Sequence, residues 1–389
     1  MIARQKRLQH LKATVPEVSA LEAFELQKGG AVLVDVREPD EVAGGSPPDA
    51  ARIVRGFLEL RIEDRVPDLE QTVVVMCAGG TRSLFAGRDL QELGYQDVRS
   101  MAGGFNGWKN DGLPVEVPRT LTDADRERYA RHLLIPEVGE EGQTRLLDSK
   151  VFMIGAGGLG SPAAFYLAAA GIGNLTLVDD DVVDRSNLQR QILHTDDRVG
   201  TPKVDSALAT LKALNPAIQI HTHQERLTSE NVDRLLAGQD VVVDGSDNFA
   251  TRYLVNDACV KHGIPNVHGS IFRFEGQLSV FWPGYEERRG PCYRCLFPEP
   301  PPPELAPSCA EAGVLGILPG VIGTLEAVET VKILLEIGDP LVGRLQIYDA
   351  LEQRFTELKV ERNPHCPCCG DDAKPIEYVD YGASCALTV

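Results

Sequence analysis

Two blocks of alternating apolar and amphipathic runs follow one another along the chain. In the first, residues 31–36 (AVLVDV) and 72–76 (TVVVM) are short, apolar and rich in β-branched side chains, as buried strands are. Helical spacing of apolar positions covers 83–93, and another short strand is expected at 97–101. In the second, strands expected at 150–154, 175–178, 218–222 and 240–244 alternate with helices expected at 161–171, 203–214 and 229–237. Strands separated by helix-length segments predict a parallel sheet covered on both faces, so the second block should be doubly wound and mostly parallel. Runs at 277–282 and 344–348 add strands, and Thr122 with Asp125 forms a capping-box signature for a helix running through Arg131. Between the blocks, 113–121 (LPVEVPRTL) holds two prolines and no helical period, which suits a linker. The expected domains are therefore 15–117 and 120–372, both α/β. The proline-rich stretch 298–307 cannot be regular helix or central strand and should form an exposed loop.

Composition narrows the function classes. The chain has 389 residues and a net charge of −18, which argues against nucleic-acid or anionic-membrane partners. The first twelve residues are basic but lack the apolar core of a secretory signal, and the apolar stretch 313–325 is too short to span a bilayer. A cytoplasmic protein is expected, in which the nine cysteines are metal ligands or reactive thiols rather than disulfides.

The first candidate site is CAGGTRS, residues 77–83, directly after an expected strand and opening a helix. A thiolate at a helix N-terminus is stabilised by backbone N–H groups. Gly79 and Gly80 let the loop curl so that its amides converge, and Arg82 supplies a fixed cation. Together with LVDVREPDE (33–41) and GGFNGW (103–108), this loop resembles the rhodanese domains over residues 15–117. The resemblance implies that Cys77 carries sulfane sulfur as a persulfide, with Asp35 and Arg37 bracing the fold.

The second is IGAGGLG, with Gly155, Gly157, Gly158 and Gly160 between an expected strand and helix. Such glycines bring phosphates close to a helix N-terminus. Asp179 closes the next strand, where a carboxylate can bind ribose hydroxyls. The segment Ser186-Asn187-Leu188-Gln189-Arg190-Gln191, then Lys203, and Asp247-Asn248 after another strand supply cations and a carboxylate suited to nucleotidyl transfer rather than to hydride transfer.

RYARHLL (128–134), GAGGLG, SNLQRQ, GTPKV (200–204), DGSDN (244–248) and CYRC (292–295) together resemble the HesA/MoeB/ThiF adenylyltransferases over about residues 120–370. The resemblance implies a Rossmann-like domain that adenylates the C-terminal glycine of a ubiquitin-like sulfur carrier protein. It implies that Gly158, Asp179, Asn187, Arg190, Lys203 and Asp247 contact ATP or Mg2+, and that Arg131 reaches the phosphates from the partner subunit of a homodimer.

Two C-x-x-C pairs, Cys292/Cys295 and Cys366/Cys369, are expected to form a closed Zn2+ site rather than two redox dithiols, since neither pair opens a helix after a strand, although Cys368 within CPCC competes for a ligand position. Cys309, in SCAEAG after the proline-rich loop, is a candidate to attack the acyl-adenylate or resolve a disulfide; a passive thiol is the alternative. Cys259 is expected in the core.

The combined expectation is adenylylation of a carrier followed by sulfur transfer through Cys77 to give a thiocarboxylate. The sulfur would come from a donor such as a cysteine desulfurase or thiosulfate. The molybdopterin-synthase carrier leads thiamin, tRNA-thiolation and cysteine-synthesis carriers. The alternative is adenylation alone beside an independent rhodanese domain. The block order departs from the familiar fusion, in which the rhodanese domain comes second.

Overall fold

The computed structural model describes residues 3–117, 119–285, 289–301 and 313–379. Cys309, Cys385 and most of the proline-rich stretch lie outside the described residues. The chain divides into two compact units that meet at Thr120–Leu121.

The first unit is built on five strands: β1 Glu17–Val18, β2 Val32–Asp35, β3 Ala51–Arg52, β4 Val73–Met76 and β5 Val98–Met101. All pair in parallel, in the order β1-β5-β4-β2-β3. The central strand β4 is buried at every position, which explains its unbroken apolar run. Helix Thr81–Leu93 follows it and starts two residues before the apolar spacing does, because Gly80 caps it in the left-handed region at φ 84°.

The second unit has eight strands: β6 Lys150–Ile154, β7 Asn174–Val178, β8 Gln219–His223, β9 Val241–Asp244, β10 Asn266–Phe272, β11 Glu275–Phe281, β12 Arg344–Asp349 and β13 Arg354–Lys359. Their order is β13-β12-β11-β10-β9-β6-β7-β8. The segment β10-β9-β6-β7-β8 is parallel, as a doubly wound sheet requires. The added strands β11, β12 and β13 pair antiparallel. Their connections set that direction: β10 and β11 are joined by Arg273-Phe274 alone, which can only reverse the chain.

Two helical expectations change. The helix expected through Arg131 breaks into Asp123–Arg128 and Ala130–Leu133 at Tyr129, whose buried ring lies under Gly171 and whose hydroxyl accepts from Asn215 Nδ2 at 2.9 Å. The helix expected at 229–237 contracts to Val232–Leu236.

The apolar stretch at 313–325 enters helix Leu318–Leu335 from residue 318 on, and this helix packs on β10, β11 and helix Gly160–Ala170. Gly323 permits the approach, since a Cβ there would lie 2.3 Å from the Leu159 carbonyl oxygen. No helix of the described residues is long and apolar enough to cross a membrane.

Glu326 of this helix is fully buried against Gly269 without an ion-pair partner among the described residues. Burial, reinforced by nearby Asp244, pushes its carboxyl well above 4.5. The folded state therefore holds a proton that the unfolded state has released, and stability falls as pH rises above the unfolded value. Glu326→Gln should flatten that slope and hold or raise the urea midpoint at neutral pH. A lowered midpoint with an unchanged slope would show that the buried group is not a neutral acid.

Candidate active sites

Cys77 follows β4 directly and is 1% exposed. Its Sγ accepts the Gly80 N–H at 3.2 Å and lies 3.6 Å from Ser83 Oγ, which in turn accepts from Ser100 Oγ at 2.9 Å. Burial opposes a charge here. The backbone and hydroxyl of Ser83 and the amides of Gly79 and Gly80 outweigh it and hold the thiol below its ordinary value.

The GGFNGW segment forms the other wall of this loop. The Phe105 and Asn106 N–H groups donate to the Cys77 and Ala78 carbonyls at 2.8 and 3.1 Å. A Cβ on Gly104, at φ 55°, would lie 2.1 Å from the Cys77 carbonyl oxygen, so only glycine lets the segments meet. Asp35 and Arg37 form a buried pair at 2.6 Å, and Arg37 stacks over Phe105 at 4.0 Å. They brace the loop from behind. Arg82 does not stand alone: its guanidinium grips both oxygens of Glu41 at 2.6 and 2.7 Å.

In the second unit, a cavity of about 300 Å³ opens at the C-terminal ends of β6, β7 and β9. Gly155, Gly157, Gly158, Asp179, Arg190, Gln191, Lys203, Asp247 and Asn248 line it. Gly160 does not. A Cβ there would lie 1.9 Å from the Gly155 carbonyl oxygen, so this glycine serves the close packing of helix on loop.

Asp179 is tied to the loop by the Ala156 N–H at 2.8 Å and to its own turn by the Asp181 N–H at 2.9 Å. Burial raises its pKa against the pull of Lys203 and those amides. Lys203 opens helix Lys203–Leu214, is buried, and reaches Asp181 at 2.8 Å.

The turn Arg185–Asn187 is started by Asp184, whose carboxylate accepts the Ser186 N–H at 2.7 Å. It carries Arg190 toward Gly158, while Ser186, Asn187, Leu188 and Gln189 stay outside the cavity lining. Arg131 is exposed on its short helix and does not line the cavity either.

Two cavity-wall groups were not singled out in the sequence. Arg252 lies one turn into helix Phe249–His262 and donates to the Ser246 carbonyl at 3.1 Å. Its signal was its place just after DGSDN. Arg226 has no comparable signal, since it sits in an irregular stretch after β8. Gln191 Oε1 and Ser246 Oγ are buried at this wall without hydrogen-bond partners among the described residues. Such atoms fit a site completed by a polar ligand.

The thiols of Cys292, Cys295, Cys366 and Cys369 lie within 4.8 Å of one another. The separations 292–366, 295–369 and 292–295 are 3.6, 3.4 and 4.0 Å. The edge of a tetrahedron with Zn–S bonds of ~2.3 Å is about 3.8 Å, so the set could hold zinc. Cys368 turns away, to Asp257 Oδ1 at 3.4 Å. Cys259 is buried in the core, and burial raises its thiol well above 9.0.

Residues 129–368 match the ThiF family, and residues 19–111 match the rhodanese-like domain. The SAMP-activating enzyme E1 of Haloferax volcanii is 53% identical over 69% of this chain and 98% of its own length. The sulfur carrier protein adenylyltransferase of Thermus thermophilus is 53% identical over 68% and 98%. The probable adenylyltransferase/sulfurtransferase MoeZ of Mycobacterium tuberculosis is 48% identical over 70% and 68%. Among solved structures, E. coli MccB with AMPCPP and SeMet MccA aligns over 64% of this chain and 75% of that one, with a TM-score of 0.56 at 22% identity. That likeness is one of fold. With a matched segment covering more than half of its residues, the chain belongs to the ThiF family and carries a rhodanese-like domain ahead of it.

Proposed function

We propose that the protein adenylates the C-terminal glycine of a ubiquitin-like sulfur carrier and converts it to a thiocarboxylate with sulfur carried on Cys77. The observation that carries this reading is the cavity that gathers Gly155, Gly157, Gly158, Arg190, Lys203 and Asp247 at one sheet edge. ATP binds with its phosphates over the glycines and its ribose at Asp179. The carrier carboxylate attacks the α-phosphorus, and pyrophosphate leaves. Arg190 and Lys203 stabilise the charge that grows on the phosphate oxygens. Asp247, an exposed carboxylate on the cavity wall, would hold the magnesium that offsets this charge.

The outer sulfur of the Cys77 persulfide then attacks the acyl carbon and expels AMP, leaving an acyl disulfide. Attack of a second thiol on Cys77 Sγ breaks the S–S bond, releases the thiocarboxylate and leaves a disulfide on Cys77. Cys309 is the proposed thiol. The reading includes a homodimer in which Arg131 acts in trans, a cytoplasmic setting, a sulfur donor such as a cysteine desulfurase or thiosulfate, and the molybdopterin-synthase carrier as first candidate. ATP–pyrophosphate exchange dependent on an added purified carrier tests it. Exchange with none of the carrier classes would refute it.

The four-thiol cluster is the proposed zinc site. It would pin the segment at 292–295 to that at 366–369 and take no part in the chemistry. Elemental analysis should give about one zinc per chain. Cys368→Ser should keep the metal and Cys366→Ser should lose it; the reverse would reassign the ligands.

A further inference from the structure

His194 is a buried histidine that no step above uses. It lies just past the segment 186–191 and is 5% exposed. Both ring nitrogens are engaged: Nε2 lies 2.8 Å from the Ala156 carbonyl oxygen and Nδ1 lies 3.0 Å from Ser206 Oγ. A carbonyl oxygen only accepts, so Nε2 carries a proton and donates it. Burial, with Lys203 and Arg198 nearby, lowers the ring's pKa against the pull of that bond. The ring is therefore neutral at physiological pH, and its bare Nδ1 accepts the Ser206 hydroxyl.

The two partners belong to different walls of the nucleotide cavity. Ser206 is one turn into helix Lys203–Leu214, whose first residue lines the cavity. Ala156 stands between Gly155 and Gly157, which line the cavity, and is not part of the lining itself. In a trans peptide the N–H points away from the C=O. The unit whose carbonyl faces His194 therefore turns the Gly157 N–H the other way, toward the cavity. That N–H has no hydrogen-bond partner among the described residues. The amide before it, of Ala156, is held by Asp179 at 2.8 Å. Donation to the carbonyl also polarises the peptide and strengthens its N–H as a donor. Ser161 Oγ reaches the same carbonyl, but only at 3.4 Å.

We propose that His194 is a positioning residue for the nucleotide's phosphates: its Nε2–H aims and polarises the Gly157 amide, and its Nδ1 ties the glycine loop to the Lys203 helix, so that amide and ammonium converge on one anion. The ring touches no substrate and moves no proton. This role rests on the adenylylation reading above and adds to it the group that holds the loop in shape from behind.

The test compares the binding of ATP and of adenosine, together with ATP–pyrophosphate exchange, in two variants close to histidine in size. In His194→Gln the side-chain amide nitrogen can stand where Nε2 stands and donate to Ala156. In His194→Asn it reaches only the place of Nδ1, and the Ala156 bond is lost. The Asn variant should bind ATP roughly tenfold more weakly and exchange with kcat lowered by about as much, while the Gln variant stays within about threefold of wild type on both. Adenosine, which has no phosphate, should bind within about twofold of wild type in both variants. A residue that only filled the core would weaken the two ligands together and rank the variants by their urea midpoints. In the wild-type protein, 15N spectra of labelled histidine should show His194 Nε2 protonated and Nδ1 bare, which needs no variant to fold. Parallel loss of ATP and adenosine, equal behaviour of the Gln and Asn variants, or an unprotonated Nε2 would overturn the assignment. If the wild-type protein binds ATP but exchanges with no carrier class, the adenylylation reading falls, and the ATP-to-adenosine comparison still decides the role of His194. If it binds no ATP, both fall together.

Discussion

Asp247→Ala is expected to lower ATP–pyrophosphate exchange by about 10²-fold or more while leaving the fold intact. The carboxylate is exposed on the cavity wall after β9, so its removal opens no core void. Its contribution is to charge balance: Arg190 and Lys203 approach the same space, and Lys203 is already engaged by Asp181 at 2.8 Å. Losing the site for the phosphate-bound cation leaves the departing pyrophosphate under-neutralised, which costs most where charge is growing. Unchanged exchange by a folded variant would remove Asp247 from the site. The same variant also tests Arg131, which the structure keeps out of the cavity of its own chain. Arg131→Ala should be inactive alone and regain partial exchange in mixed dimers with Asp247→Ala, because one of the two sites then has both groups. Verified mixed dimers without recovery would contradict action in trans.

Cys77→Ala should lose all sulfane loading and keep exchange. The loading depends on one atom, because no other group on the loop can bond covalently to sulfur. The loop architecture should survive, since the Gly80 cap, the Asp35–Arg37 pair and the Gly104 contact involve backbone or other side chains. Exchange should persist because every residue lining the nucleotide cavity belongs to the other unit. Residual loading in the variant would place the acceptor on another cysteine. Loss of exchange would mean that the two units do not act separately.

The α/β class and the parallel core were legible because the strands carry uninterrupted apolar runs and sit one helix apart. The bounds of β6 and of helix Lys203–Leu214 agree to the residue with their patterns. Of the rest of the sheet, β11 and β12 were expected, whereas β10 and β13 were not. β13 is exposed at every position and has no apolar signature, and β10 mixes buried Asn266 and His268 and half-buried Ser270 with apolar neighbours. Helix Leu318–Leu335 was legible only as an apolar stretch, because Glu326 and Glu329 interrupt it in sequence yet are buried in the fold.

Residues near the candidate sites divide in the same way. Glycine loops and paired cysteines announce themselves by local spacing. Glu41 and Arg226 do not. Glu41 reaches Arg82 from 41 positions away, and Arg226 sits in an irregular stretch after β8. Only folding brings such groups to a site, and their chemistry then comes from the partner they meet. Cys368 is the converse case. Spacing favoured Cys366 and Cys369 over it without excluding it, and its orientation toward Asp257 separates it from them.

The most direct test of the whole account is the carrier itself. Wild-type protein loaded with sulfane sulfur, freed of excess donor, then mixed with ATP, magnesium, a thiol reductant and a carrier that supports exchange, should convert the carrier terminus to a thiocarboxylate detectable by mass spectrometry. The Cys77→Ala protein should leave the carrier as its adenylate or its free acid. Thiocarboxylate formed at the wild-type rate without Cys77 and without added sulfide would contradict the account, because sulfur would then reach the carrier by a route that bypasses the rhodanese-like domain.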